Sequence, residues 1–471
     1  MPRFRATMSF DVNKSVIDRI REGLEQGRAQ SVVDDLKELH PADIAEVLDQ
    51  LRIEEATTLY DALDEELAAE VLLQLPEDKR EAILETFTGK EIAEEVIDQL
   101  DSDDAADVIA DLPQDVQDEV MANIEDAEQR EEIAELLTYD EHSAGGLMAK
   151  ELVRVSVDGS MRDCVKALRA HADEIDNVYV IYVVDQHERL MGTIPLKRLL
   201  TTSLFQAVKE VYDPDFISVK ADEEAEVAAK LMEKYDLVVL PVVDARGRLL
   251  GRITIDDVVD VIREEETEDV QKMAGMEALE DSYMSSSWWE IVKKRVGWLI
   301  ILFIGESFTA TAMSFFEGQI AKAVVLALFV PLIISSGGNT GSQASTLIIR
   351  ALALGDVTIR EWWSVVKREF TVGLTLGTVL GIIGFLRVAV WSQFVDVYGE
   401  HWFEIGLAVG LSLLGVVLWG NLIGSLFPLI LKKFGRDPAV SSAPFVATVV
   451  DVTGLLIYFG IASLLLAGIM L

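Results

Sequence analysis

Past Trp288 the chain carries five apolar stretches, Val296–Phe316, Ala323–Ile349, Phe370–Val390, Ile405–Leu431 and Ala439–Met470, and each reaches the ~20 residues needed to cross a hydrocarbon core. No other feature constrains the fold as strongly. Backbone inside a bilayer must satisfy its own hydrogen bonds, so each stretch is expected to be a helix. Their flanks set an orientation. Lys293, Lys294 and Arg295 precede the first stretch; Arg350, Arg360, Lys367 and Arg368 lie between the second and third; Lys432, Lys433 and Arg436 lie between the fourth and fifth. The other two loops carry Glu317 and Lys322, or Asp396, Glu400, His401 and Glu404. By the positive-inside rule the N-terminal half is cytoplasmic and the C-terminus extracytoplasmic, in a multi-pass cell (inner) membrane protein. Trp288, Trp289, Trp298, Trp362, Trp363, Trp391 and Trp402 fall near the ends of the stretches, as an interfacial aromatic belt would.

An ionisable side chain inside such a helix is expensive and points to function. Asp451 lies well within the fifth stretch, where it needs a cation, water or a basic partner, and Arg387 is the base to weigh against a wet cavity. In the second stretch Pro331, Gly337 and Gly338 are expected to weaken the helix and free carbonyls. Asn339, Ser342, Gln343 and Thr346 then share one face at i, i+3, i+4 and i+7. Gly337, Gly338 and Gly341 equally suit close helix packing. Glu306, in the first stretch, fits a pore mouth, a proton site or a satisfied buried acid. A single chain with one such aspartate makes a poor closed pore, whereas a symmetric homodimer brings two Asp451 carboxylates to a common axis. Carboxylates, amides and carbonyls around a hydrated ion suit Mg²⁺, and the same argument admits Ca²⁺, Mn²⁺ and Co²⁺.

The formal charge of −40 is concentrated before the apolar region: residues 1–287 carry 70 acids against 29 bases. A surface this acidic excludes nucleic acid as a partner and favours cations. Cys164 is the single cysteine, so the chain has no internal disulfide. Met1–Ser9 is basic but lacks the apolar core of a secretory signal. His is scarce and no nucleophile–base or phosphate-loop pattern stands out, which argues against an enzyme.

Residues 10–137 repeat an acidic and aliphatic pattern. His40–Leu48 resembles Asp64–Leu72, and it recurs at Lys90–Ile97 and Ser102–Ile109, with prolines at 41, 76 and 113. Short repeats of this kind predict stacked helical hairpins in a superhelix. From about Leu147, β-branched runs alternate with helices: Asn177–Asp185 and Leu237–Asp244 each lead through a turn to a second strand. The arrangement looks like a pair of CBS domains, modules that bind adenosine nucleotides or relay regulatory signals. Thr254 and Asp257 resemble their ribose-contacting pair, so ATP is a possible ligand of the second unit. The first unit reads Thr193–Ile194–Pro195–Leu196 and lacks the acid. Beyond Ile262 a Met-rich amphipathic segment runs to Tyr283 and is expected to form a helix connecting sensor to pore. Glu265, Glu268 and Asp269, and likewise Asp257 and Asp260, converge at helical spacing. Like charges there destabilise a bare helix, and a divalent cation between them reverses the effect.

The order of these parts, with Gly-Gly-Asn-x-Gly-x-Gln in the second stretch and Pro-Phe-x-Ala-Thr-x-x-Asp-x-x-Gly in the fifth, resembles the MgtE family of magnesium channels and transporters along the whole chain. The resemblance implies a multidomain membrane protein. Its parts are an all-α cytosolic superhelical N domain (1–137), α/β tandem CBS domains (138–204 and 205–265), a connecting plug helix (266–292) and a five-helix α transmembrane pore domain (293–471). It implies a homodimer in the lipid bilayer, serving magnesium homeostasis, whose pore ion site uses Asp451 and the backbone near Ala447, with Asn339 and Gln343 beside it. It further implies that cytosolic Mg²⁺ bridges the helical and CBS domains, through Asp101, Asp104 and Asp107 on one side and Asp236, Asp257, Asp260, Glu265, Glu268 and Asp269 on the other. A cation-coupled secondary Mg²⁺ or divalent-metal transporter is the competing expectation. A CBS-regulated membrane signalling protein without transport is the other.

Overall fold

The computed structural model describes residues 12–172, 175, 177–279, 283, 286–395 and 397–469. The stretch Met1–Ser9, Asp396 and part of the Met-rich segment before Tyr283 lie outside them. The described chain forms two compact units that meet at Glu264 and Glu265.

In the first unit ten short helices run from Lys14 to Leu136. Aliphatic residues recur on one side of each: Ile44, Val47 and Leu48, then Val71 and Leu72, then Ile92, then Val108 and Ile109, all buried. The prolines seen as punctuation open helices. Pro41 occupies the first turn of Pro41–Asp49, and Pro76 and Pro113 directly precede Glu77–Leu84 and Gln114–Asn123. Pro fits there because its missing N–H would have no intrahelical acceptor.

Two three-stranded sheets follow. Strands β1 (Arg154–Ser156), β2 (Val180–Val184) and β3 (Leu190–Pro195) form one, and β4 (Val219–Lys220), β5 (Val239–Val243) and β6 (Leu249–Thr254) the other. In each, the first strand is parallel to the second and the second antiparallel to the third. The sheets meet hairpin to hairpin: Leu190 N–H donates to the Gly247 carbonyl and Leu249 N–H to that of Glu188, both at 3.0 Å. Tyr182, Val184, Leu190, Val243 and Leu249 form the small core beneath that junction. The second sheet also joins the helical array. Ala149 and Arg252 exchange backbone hydrogen bonds of 2.8 and 2.9 Å. One continuous apolar cluster then runs from the helices through Val219, Ala228, Met232, Val258 and Val261.

A helix from Ile255 to Met273 follows β6, and the next among the described residues begins at Trp288. The connecting helix is therefore rooted at Ile255, earlier than the expected 266, and stops at Met273.

The second unit holds five helices long and apolar enough to cross a membrane: Trp288–Phe315, Val324–Ala353, Ile359–Trp391, Gly399–Lys433 and Ala443–Leu466. These are the first to fifth spans below. The weakened second helix expected from Pro331 and the glycines is not seen. Helix Val330–Ala353 is continuous, because Pro331 stands in its first turn, where no bond is lost. The glycines serve packing instead. A Cβ on Gly424 of the fourth span would stand 2.1 Å from the Gly341 carbonyl oxygen of the second, so only a bare backbone permits this crossing. Asn421 adds a polar fastening, its Nδ2 donating to the Glu369 carbonyl and carboxylate at 2.7 Å each. Tyr458 of the fifth span donates to the Leu326 carbonyl at 2.8 Å.

Candidate ion path and candidate cation cluster

In the second unit Asp451 and Ala447 lie one helical turn apart and face the second span. A Cβ on Gly338 would meet Asp451 Oδ1 at 3.2 Å and the Ala447 methyl at 3.4 Å. Gly338 thus leaves room for the carboxylate at the crossing. Arg387, weighed as its partner, places its guanidinium over the Phe329 ring, 5.8 Å from the centroid. Asn339, Gln343 and Thr346 are exposed on the second span, as is Ser335, whose hydroxyl lies 3.5 Å from Asn339 Nδ2. Ser342 departs from that stripe: it donates to the Ala443 carbonyl at 3.0 Å, and Ser345 donates to that of Ser441 at 2.9 Å. These two hydroxyls fasten the start of the fifth span to the second. Glu306 is exposed on the first span, among exposed Ile304, Phe303 and Phe308.

The first unit gathers acids where helix Ser102–Ala110 meets the root of helix Ile255–Met273. Ligand oxygens of Asp101, Asp103 and Glu151 all lie within 4.8 Å of one another. Glu151 also caps the helix, accepting from Ser102 N–H at 3.0 Å and from its hydroxyl at 2.9 Å. Asp103 is 9 % exposed. Burial, and then the charges of Asp104, Asp257, Glu151 and Asp101, push its carboxyl well above the usual range. Asp104 is pushed up to about 7 by burial and by Asp257, Asp101, Asp256 and Glu151. Asp107 also reaches about 7, through burial and the fields of Asp104, Glu141 and Asp111, with Arg80 opposing. That guanidinium lies 2.6 Å from Asp111. Burial raises Asp257 too, while hydrogen bonds from the Thr254 N–H (3.1 Å) and hydroxyl (2.7 Å) oppose the rise. Thr254 and Asp257, singled out as a ribose pair, are thus bonded to each other.

Asp101, Asp104, Asp107, Asp257 and Asp260 therefore belong to one electrostatic neighbourhood, with Asp260 acting on Asp257. Asp103, Glu151 and Asp256 join it without having been expected. Asp236 is exposed, in a left-handed conformation (φ 52°) at the end of helix Ala225–Tyr235, and the structure does not gather it with the others. Hard oxygen donors crowded this way, with several carboxyls pushed upward, are the donor set that Mg²⁺ or Ca²⁺ takes.

Glu265, Glu268 and Asp269 are half-buried and belong to the second unit. Within it Lys272 bridges Glu268 and Asp437, at 2.5 and 3.0 Å, so the connecting helix is tied to the loop before the fifth span. Arg350 reaches Glu266 at 3.4 Å.

Comparison with known proteins identifies the family. The profile of the MgtE family, described as a divalent cation transporter, matches residues 330–461, and that of the MgtE intracellular N domain matches 39–142. CBS domains match 144–204 and 208–264. The magnesium transporter MgtE of Thermus thermophilus is 36 % identical over 96 % of this chain and 98 % of its own length. The chain belongs to the MgtE family. Its MgtE relatives include that of Enterococcus faecalis, 34 % identical over 70 % of each chain. A solved structure of the cytosolic domain of the Mg²⁺ channel MgtE in complex with ATP is 33 % identical, with a TM-score of 0.49, over 52 % of this chain and 99 % of that one. The MgtE family is one of membrane transporters, in keeping with the expectation that the chain is not an enzyme.

Proposed function

We propose that this chain is a magnesium channel that takes Mg²⁺ across the cell membrane as a homodimer and closes when cytosolic Mg²⁺ binds its acidic half. The observation that carries the reading is the apposition of Asp451 and Ala447 to Gly338, beside a polar face of the second span (Asn339, Gln343) that the chain itself leaves exposed. A polar stripe facing lipid is costly, and a second copy set against it would turn the stripe and two Asp451 carboxylates toward one shared path. Mg²⁺ gives up its water reluctantly, so this path suits an ion that keeps part of its hydration. The relatives' name, magnesium transporter, supports Mg²⁺ as the cargo.

Gating follows from the cluster. Asp257 repels Asp103 and Asp104 across the packing of helix Ser102–Ala110 on helix Ile255–Met273, and Asp104 repels Asp107 along their own helix. A bound divalent cation would add positive charge there to that of Arg80. The carboxylates of Asp101, Asp103 and Glu151 are placed to hold it. Glu265, Glu268 and Asp269 extend the acidic run along the same helix toward the pore, with Asp236 as a further candidate. A swing from 1:99 to 99:1 between open and closed takes about 5.5 kcal/mol of differential binding, within reach of several weak sites. ATP is proposed at the second CBS unit, near Thr254 and Asp257. The N-terminal half is assigned to the cytoplasm and the C-terminus to the outside, from the basic loops.

The test is Mg²⁺ uptake into liposomes by the purified protein, with Asp451→Asn as the comparison. Uptake lost in the variant, while the protein still responds to Mg²⁺ on its acidic half, supports the path. Uptake that needs an opposing ion gradient indicates the coupled transporter instead.

A further inference from the structure

Glu306 lies in the first span, whose main neighbour among the described helices is the fifth. Gly305 beside it faces that neighbour: a Cβ there would stand 2.7 Å from Thr448 Cγ2. Buried Thr309 and Ala312 continue the contact stripe at i+4 and i+7 from Gly305. Thr448 precedes Asp451 by three residues, so the two share one side of the fifth span. Glu306 therefore stands at the margin of the contact that carries Asp451, with its own surface open.

Among the described residues the charge that acts on Asp451 is that of Glu306, and no basic group offsets it. Arg387 is directed at the Phe329 ring instead. On its own helix Glu306 is surrounded by Phe303, Ile304 and Phe308, which are apolar and exposed. A carboxylate in a membrane span, with a second one near it and no base, is costly unless a cation or water meets it. Its place beside Asp451 puts it where a cation is already expected.

We propose that Glu306 is a second charged residue of the ion path, acting with Asp451 on a passing hydrated Mg²⁺ and favouring divalent over monovalent cations. The inference rests on the reading of Asp451 as part of that path. An ion's energy near a fixed charge scales with its own charge, so an added carboxylate stabilises Mg²⁺ about twice as much as K⁺ at the same place. Mg²⁺ gives up its water reluctantly, so the two acids act through the hydration shell and need not converge on one ligand position. Acidic side chains along a pore are a general means of selecting cations.

The experiment measures Mg²⁺ uptake into liposomes by the full chain. Glu306→Gln keeps the size of the side chain and removes its charge. The half-saturating Mg²⁺ concentration is expected to rise about tenfold, a change of about 1.4 kcal/mol in binding. K⁺ should then compete with Mg²⁺ better than in the parent, and Glu306→Asp should recover most of the loss. Glu306→Cys tests charge and water access together. Cys164 is the single native cysteine and is buried, so the parent should ignore water-borne thiol reagents. In the variant, sulfonatoethyl methanethiosulfonate should restore uptake at low Mg²⁺, and its trimethylammonium counterpart should depress uptake further. A midpoint and K⁺ competition unmoved by Glu306→Gln, a cysteine that never reacts from water, or equal effects of the two reagents would each overturn the inference and leave the Asp451 path standing. Uptake that survives Asp451→Asn would remove the path, and the role of Glu306 with it.

Discussion

Asp451 is a single carboxylate on a helix packed through glycine, with Gly338 opposite it, whereas Asp103 stands among Asp101, Asp104, Glu151 and Asp257 on helices joined by one apolar core. In the membrane each added acid carries a large desolvation cost, so the fifth span carries a single one, and in the proposed dimer a second copy would complete a ring. In the cytosolic unit water and an alkyl core share the load, and like charges accumulate until their repulsion becomes a spring. The first arrangement suits passage, because an ion is held by few groups and released. The second suits sensing, because an ion changes the balance of many groups at once.

Replacing Asp451 by Asn should break the comparison on the membrane side most severely. Mg²⁺ uptake into liposomes is expected to fall at least tenfold, roughly 1.4 kcal/mol of barrier. Mg²⁺-dependent protection of the acidic half from protease should persist. If uptake persisted instead, Asp451 would not belong to the path.

Gly424→Ala tests whether the close crossing supports that lone acid. An added Cβ meets the Gly341 carbonyl oxygen at 2.1 Å, and overpacking of this kind costs about 1–3 kcal/mol. The melting temperature in detergent should drop, whereas Gly318→Ala, where a Cβ meets nothing within 4 Å, should leave it unchanged.

The acidic unit should show its spring in the pH dependence of hydrogen exchange along Ser102–Ala110, measured in the full chain without divalent ions. Asp104 and Asp107 titrate near 7 when folded, against about 3.9 for a free aspartate. A raised carboxyl stabilises the fold fully below the free value, and that contribution fades as pH climbs through the folded one. Exchange protection should therefore decline from pH 5 to pH 8, after correction for the intrinsic rate. Added Mg²⁺ should restore it at pH 8. Protection that rose with pH would contradict the crowding of acids.

The smallest effect is expected at Lys272. Its pairs with Glu268 and Asp437 are partly exposed, and such pairs contribute up to about 1 kcal/mol. Lys272→Met should shift the Mg²⁺ concentration for half-closure by severalfold or less.

Much of this architecture was legible in the sequence. Apolar length alone located all five spans, with their ends within four residues but their starts up to eleven residues off, because the helices begin in polar interfacial sequence, and periodic Ile, Val and Leu marked the helical array. Asp451 stood out because an acid inside an apolar run has few structural uses. Pro331 misled because a proline breaks a helix only inside it, and where the second helix begins depends on the irregular turn before Val330. Ser342 left the polar stripe because a neighbouring carbonyl, that of Ala443, claimed its hydroxyl. Asp103 and Glu151 went unseen for a different reason. Their meeting joins positions 48 residues apart through the cap at Ser102, and no local pattern encodes that fold-back.

The central claim, that one chain combines an ion path at Asp451 with a cation-operated closing device, is tested most directly by single-channel recording from inside-out patches while Mg²⁺ is stepped on the cytosolic face. Discrete Mg²⁺ currents should appear at low cytosolic Mg²⁺ and close as it rises, and Asp103→Asn should close only at higher Mg²⁺. Silent patches from protein that still loads liposomes with Mg²⁺ would contradict the channel. Currents indifferent to cytosolic Mg²⁺ would contradict the device.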